Sequence, residues 1–329
     1  MLKKNELNKV NNFFDRSFIN KLNKKINIEL SYLKKDYPNI NIEKSLTKQT
    51  LLSRALSYRV FDDKFKNFLE KKINLFLSKS QNSKKKIKFI LNPMIYIRYC
   101  RPNESLIKNY NKAKYYTEPH YDKSFENLNF YSMWMPLEKT NHQTGTLCYF
   151  NIPAKLRKKF FPVKGKNKYS MHNYFLNPTK PDKILSKYCV PVYANKGDIL
   201  FFSKNCLHGA TKPINQKRLS VNFQLFDSKV LISKNEFQKN KFLLCNYSLE
   251  VCNFFNLLII GEYKGAKRLF RKIKKNKIKK VHNFFDKNLN KKIIQLLSKF
   301  ENINNFNFIK QYQHDLHYSN ELSILKNEY

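Results

Sequence analysis

Glycine is scarce, 6 in 329 residues, and acidic residues are few, 24 Asp and Glu against 64 Lys and Arg for a formal charge of +40. The six glycines never take the spacing of a glycine-rich phosphate-binding loop, and no Ser/His/Asp order or redox cysteine pair points to another enzyme class. The six cysteines (Cys100, Cys148, Cys189, Cys206, Cys245 and Cys252) contain no C-x-x-C pair, which argues against a zinc finger or a disulfide framework. No stretch reaches the roughly 18 consecutive apolar residues that span a bilayer. Met1 to Leu30 alternates Lys and Asn with isolated apolar residues, so no signal peptide and a cytoplasmic location are expected.

What is present is enough for a large core: hydrophobic residues are 42% and aromatic residues 15% of the chain. The abundance of Lys, Asn and Ile beside so little Gly fits an AT-rich coding sequence, which accounts for most of the charge. Such drift explains the shortage of Asp and Glu less well, and an anionic small-molecule substrate or surface is the alternative.

The chain divides by period. Residues 1–85 read as helical, with Asp15 capping a helix whose apolar positions Phe18, Ile19, Leu22 and Ile26 recur at three and four. A second helix is predicted over Phe61 to Leu77. Residues 86–229 change to short strands: Ile87 to Tyr99, 128–137, Thr146 to Ile152, Val190 to Tyr193, Asp198 to Phe202 and Leu219 to Phe226. Many short strands with few helices between them predict a sandwich or jelly-roll core with flanking helices. A basic insertion over 153–188 reads as a lid or a surface decoration.

Residues 230–329 return to helix. There the apolar patch Phe254 to Ile260 precedes ten Lys and Arg residues between Lys264 and Lys280. This segment, 254–280, reads first as a solvated helix packed on the core, and second as a peripheral contact with an anionic membrane. Nucleic acid is not expected as a partner, although a basic nucleic-acid or membrane-surface binding protein is one rival reading. Lys9 to Asp15 and Lys280 to Asp286 resemble each other, which fits a shared helix start.

The strongest chemical signal is His120-Tyr121-Asp122, followed 86 residues after Asp122 by His208. On an extended segment the side chains at i and i+2 share one side, so His120 and Asp122 can reach one ion, and a distant His supplies a third corner. Two His and one carboxylate leave open positions on an octahedral ion, the arrangement of non-haem Fe(II) oxygenases. His208 follows Lys196-Gly197-Asp198 and the apolar strand Ile199 to Phe202, and is expected in a loop. Ten residues on, Arg218 and Ser220 share a strand face, where a forked guanidinium and a hydroxyl suit a carboxylate.

In this order, metal pair, long insert, metal His and carboxylate clamp, residues 90–226 resemble the Fe(II)/2-oxoglutarate dioxygenase superfamily, and most the phytanoyl-CoA dioxygenase branch. The segments Trp134-Met135-Pro136-Leu137 and Thr144-Gly145-Thr146-Leu147 are similar to that branch, and Arg218-Leu219-Ser220 to the Arg-x-Ser clamp of others. The resemblance implies a mainly β fold, a double-stranded β-helix (jelly roll, cupin-like) with flanking helices. It implies Fe(II) on His120, Asp122 and His208, and 2-oxoglutarate on Arg218 and Ser220 with Trp134 beside it. Tyr99, on the strand before the metal pair, reads first as a core or rim residue and second as a candidate for reaching 2-oxoglutarate. Oxidation by O2 would convert 2-oxoglutarate to succinate and CO2 while a C–H bond of a small organic substrate is hydroxylated. Halogenating relatives carry a small residue where this chain has Asp122, so hydroxylation or a related oxidation is expected. The rival from another class is a metal-free β-barrel binding module.

Overall fold

The computed structural model describes residues 6–47, 51–80, 88–92, 95–102, 115–122, 130–153, 185–227, 248–260 and 262–273. Its helices are α1 (Arg16–Asp36), α2 (Ile42–Thr47), α3 (Leu51–Val60), α4 (Asp63–Ser80), α5 (Leu249–Ile259) and α6 (Tyr263–Lys272). Its strands are β1 (Asn8–Val10), β2 (Phe89–Leu91), β3 (Tyr96–Cys100), β4 (Tyr115–His120), β5 (Phe130–Pro136), β6 (Leu147–Phe150), β7 (Cys189–Pro191), β8 (Ile199–Ser203), β9 (His208–Thr211) and β10 (Arg218–Asp227).

The strands form two antiparallel sheets. One runs β1-β8-β5-β10-β2, with β3 also paired to β10; the other runs β4-β9-β6-β7. The pairs β3·β10, β4·β9, β5·β8 and β6·β7 nest inside one another, as in one long ribbon folded at β6–β7. The added pairs β5·β10 and β6·β9 roll that ribbon up.

β10 shows how sequence sets the layers. Its run Arg-Leu-Ser-Val-Asn-Phe-Gln-Leu alternates, and a period of two sends the two sets to opposite faces. Val221, Phe223 and Leu225 join Met133, Met135, Ile199 and Phe201 in the core beneath the helices. Arg218, Ser220, Asn222 and Gln224 take the face toward the second sheet. A strand covered on both sides ordinarily reads as a continuous apolar run. Polar residues on an interior face therefore announce a polar space between the sheets.

α1 begins where expected: Asp15 Oδ1 accepts from the Phe18 N–H at 2.7 Å, and Ile19, Leu22, Ile26 and Leu33 are its buried stripe. The helix expected over 61–77 is α4. It starts two residues later because Asp62 takes the capping position, its Oδ1 accepting from the Phe65 N–H at 2.8 Å. β1 was not predicted. It pairs with β8 through Asn8, Lys9 and Val10, a segment too short to show a period. The single strand expected over 87–99 is two, β2 and β3, set end to end along the same edge of β10.

The carboxyl-terminal helices belong to the same core. Phe254, Leu257, Ile260 and Ala266 are buried in it, and Leu269 and Phe270 pack against it. These apolar side chains of α5 and α6 are thus covered by protein, while Lys264, Lys267, Arg271 and Lys272 are exposed. A buried ionic cluster fastens α6 to the amino-terminal helices. Glu262 accepts from Arg59 Nε at 3.0 Å, Arg59 Nη2 at 2.6 Å and Tyr37 Oη at 2.9 Å. Arg59 also reaches Asp36, which binds Arg268. Gly265 is required here, since a Cβ would lie 2.0 Å from Glu262 Oε2. Weakening a charge-assisted buried hydrogen bond costs about 1.5–3 kcal/mol. Glu262→Gln should lower unfolding stability by about that amount; a urea midpoint unchanged from the parent would contradict the assignment.

The lid or decoration expected over 153–188 falls mostly on 154–184, which lies outside the described residues, as do 274–329 with the rest of the basic run and the second helix start.

Candidate metal centre

The three predicted ligands meet. His120 closes β4 and His208 opens β9, and the two are register partners across the sheet, with ring centroids 4.3 Å apart. Partners directly across an antiparallel pair point the same way. His208 is therefore a strand residue, and the expected loop stops one residue earlier; its placement is set by pairing. Asp122 lies two residues beyond the end of β4. Its Oδ1 is 3.6 Å from His120 Nε2 and 3.8 Å from His208 Nε2, and ligand atoms of all three lie within 4.8 Å of one another. Those separations exceed a hydrogen bond, so the donors converge on a point between them without closing on each other.

Supporting contacts fix two of the ligands. His208 Nδ1 lies 3.1 Å from the carbonyl oxygen of Cys206, so donation there leaves Nε2 free as a ligand atom. Phe202 packs against the same ring, centroids 4.4 Å apart. The Ser132 hydroxyl donates to Asp122 Oδ2. Burial by itself would raise the Asp122 carboxyl, but the imidazoles of His208 and His120, the Ser132 hydroxyl and the field of Arg98 hold it below the ordinary carboxylate value. Ser132 was not singled out from sequence, although it is the one small polar residue among the apolar positions of β5. Outer-shell partners of metal ligands are worth roughly 10–100-fold in metal affinity. Ser132→Ala should weaken divalent-metal binding about tenfold, and titration calorimetry with Mn(II) reads this; an unchanged affinity would remove Ser132 from the site.

At the other end of β10 lies Arg218, 3% exposed, with no carboxylate among its hydrogen-bond partners. Nη1 donates to the Thr211 carbonyl at 3.4 Å and Nη2 to Cys100 Sγ at 3.3 Å, while Nε has no partner. The Ser220 hydroxyl on the same face is fully buried and also unpartnered, as is Asn222 Oδ1. Trp134, 1% exposed, walls this space, with the Arg218 guanidinium 5.9 Å from its ring and 6.0 Å from that of Tyr116. Gly145 (φ 66°) makes room, because a Cβ there would lie 2.5 Å from the Thr211 oxygen and 3.0 Å from Arg218 Nη1.

Tyr99 takes the core position that is the first of its two readings, and its candidacy for 2-oxoglutarate gains no support. It pairs with Leu219, on the face of β3 turned to the helices, and packs against the core there. Its neighbour Arg98 pairs with Ser220 and so takes the inner face. Period two decides between them, and the strand's register was not legible without β10.

These residues fit the groups the sequence resemblance implies. Two imidazoles and a carboxylate form a donor set that can hold iron. Orphaned N–H and O–H donors in a buried cleft call for an oxyanion acceptor.

No protein-family profile matches the chain, and no curated protein does. Among solved structures, it is similar to EvdO2 from Micromonospora carbonacea var. aurantiaca, at 14% identity over 48% of this chain and 59% of that one, with a TM-score of 0.33. It is also similar to the epimerase SnoN, solved in complex with Fe3+, alpha-ketoglutarate and nogalamycin RO, at 17% identity over 43% and 50% with a TM-score of 0.30. AviO1 from Streptomyces viridochromogenes Tue57 is similar at 12% identity over 49% and 57%, again with a TM-score of 0.30. The chain thus spans between half and three-fifths of the length of these structures.

Proposed function

We propose that this chain is an Fe(II)- and 2-oxoglutarate-dependent oxygenase of the superfamily its motifs resemble, hydroxylating a small organic substrate. One observation carries the reading: the convergent His120, Asp122 and His208 share an inter-sheet space with the unpartnered donors of Arg218 and Ser220. The nested strand pairing supports the jelly-roll form of the fold. A likeness to the phytanoyl-CoA dioxygenase branch rests on the Trp134 and Gly145 segments.

In this reading His120, Asp122 and His208 hold iron, and the bound metal supplies the activation of O2 coupled to decarboxylation of 2-oxoglutarate. The chain does the rest. Arg218 holds the distal carboxylate of the co-substrate through its forked donors, and Ser220 adds a hydrogen bond. Trp134 and Phe202 line the space and keep water from it. Ser132 fixes the orientation of Asp122. The basic outer face of α6 supports an electrostatic contact with an anionic membrane, since its apolar side faces the core.

The test is succinate formation from 2-oxoglutarate by the purified chain with Fe(II) in air, with a metabolite panel to stimulate it. Iron-dependent succinate supports the reading. Its absence across the panel, with no iron bound, would favour a metal-free binding module instead.

A further inference from the structure

The inner face carries a second guanidinium, Arg98, with no carboxylate partner among the described residues. Arg98 stands in the row of Ser220 and Pro136, one row along the sheet from the pair Arg218 and Cys100. Unlike Arg218, which is 3% exposed, Arg98 is intermediate in exposure as a whole residue. Its guanidinium lies 4.8 Å over the ring of Tyr96, and that of Arg54 lies 4.8 Å over the same ring while Nη1 of Arg54 donates to the Tyr96 hydroxyl at 3.0 Å. Among the described residues no ion pair joins Arg98 to a carboxylate, and those of Asp122 are with His120 and His208. Asp122, which its field does reach, is already committed to Ser132 and the two imidazoles.

We propose that Arg98 binds an oxyanion of the primary substrate, a carboxylate or a phosphate, beside the metal centre. This rests on the reading above for the identity of the other ligands. A charge count then separates the two arginines. Iron(II), Asp122, the 2-oxoglutarate dianion and Arg218 cancel one another. One carboxylate of 2-oxoglutarate is spoken for at the metal and the other at Arg218. Arg98 is left over, and burial lowers its affinity for a proton, with Tyr96 working against that shift and Arg54 adding to it. An oxyanion seated on its fork would offset that desolvation, whereas a neutral substrate would leave it standing. The substrate class is therefore anionic, in keeping with a chain so poor in acids.

Inorganic phosphate is the probe. The full chain is titrated with it by calorimetry, alone and with Mn(II) and saturating 2-oxoglutarate, in the parent, Arg98→Met and Arg98→Lys. The expected result is phosphate binding that persists beside 2-oxoglutarate, is at least about tenfold weaker in Arg98→Met, and is intermediate in Arg98→Lys, which keeps the charge but not the fork. 2-Oxoglutarate affinity should differ less than threefold between parent and Arg98→Met. No phosphate binding to the parent, or equal binding in all three, overturns the proposal. So does a loss of 2-oxoglutarate affinity in Arg98→Met, which would assign Arg98 to the co-substrate. If 2-oxoglutarate binds none of the proteins, the oxygenase reading fails alone, and the titration with phosphate only still decides Arg98. Arg98→Lys serves where Arg98→Met does not fold.

Discussion

Replacing Asp122 by alanine is expected to abolish iron-dependent succinate formation and to weaken divalent-metal binding by more than about 100-fold, beyond the roughly 10–100-fold that an outer-shell partner is worth. The carboxylate is the only anionic ligand of the three, and it sits between the imidazoles, 3.6 and 3.8 Å from their Nε2 atoms. Its loss removes both a donor and the charge that offsets a divalent cation. The fold should persist, because Asp122 lies beyond the end of β4 and joins no ladder. Calorimetry with Mn(II), backed by circular dichroism, checks both halves. A variant that folds and binds metal as tightly as the parent would remove Asp122 from the ligand set.

Arg218→Met should raise the 2-oxoglutarate concentration needed for half-maximal turnover by roughly 10- to 150-fold, the equivalent of about 1.5–3 kcal/mol for hydrogen bonds to a charged group. Stability separates this role from a structural one. A buried arginine serving the fold is ordinarily paired, and its removal is then costly. Arg218 has a weak bond to a sulfur, a long bond to a carbonyl and an orphaned Nε, so the fold gains little from it. Thermal unfolding of the metal-free variant should therefore match or exceed that of the parent, while added 2-oxoglutarate should stabilise only the parent. A large drop in melting temperature with unchanged co-substrate affinity would contradict this account.

How much could be read without coordinates follows from where local patterns carry the decision. α1 was legible because Asp15 and the stripe Ile19, Leu22 and Ile26 are both local. β10 was legible because its alternation is strict. β1, β4 and β9 were not legible as strands: β1 and β9 are three and four residues long, and β4 departs from regular register on the way to His120. What holds them is pairing to β8 and to each other, a long-range property that single-sequence periods do not carry. The same limit governs the site. His120, Asp122, His208, Arg218 and Ser220 announce themselves by type and order. Ser132 and Arg98 are ordinary residues in β-rich segments, and acquire their roles only through which face the register gives them. The choice between the two readings of Tyr99, one position from Arg98, likewise waits on the register.

The central claim is that three side chains share one ion. Crystals exposed without oxygen to Fe(II) and 2-oxoglutarate, measured on both sides of the iron absorption edge, test it most directly. The account predicts one anomalous peak within bonding distance of His120 Nε2, Asp122 Oδ1 and His208 Nε2, with 2-oxoglutarate extending from it to Arg218. A peak elsewhere in the chain, or none at a fully loaded concentration of iron, would contradict it.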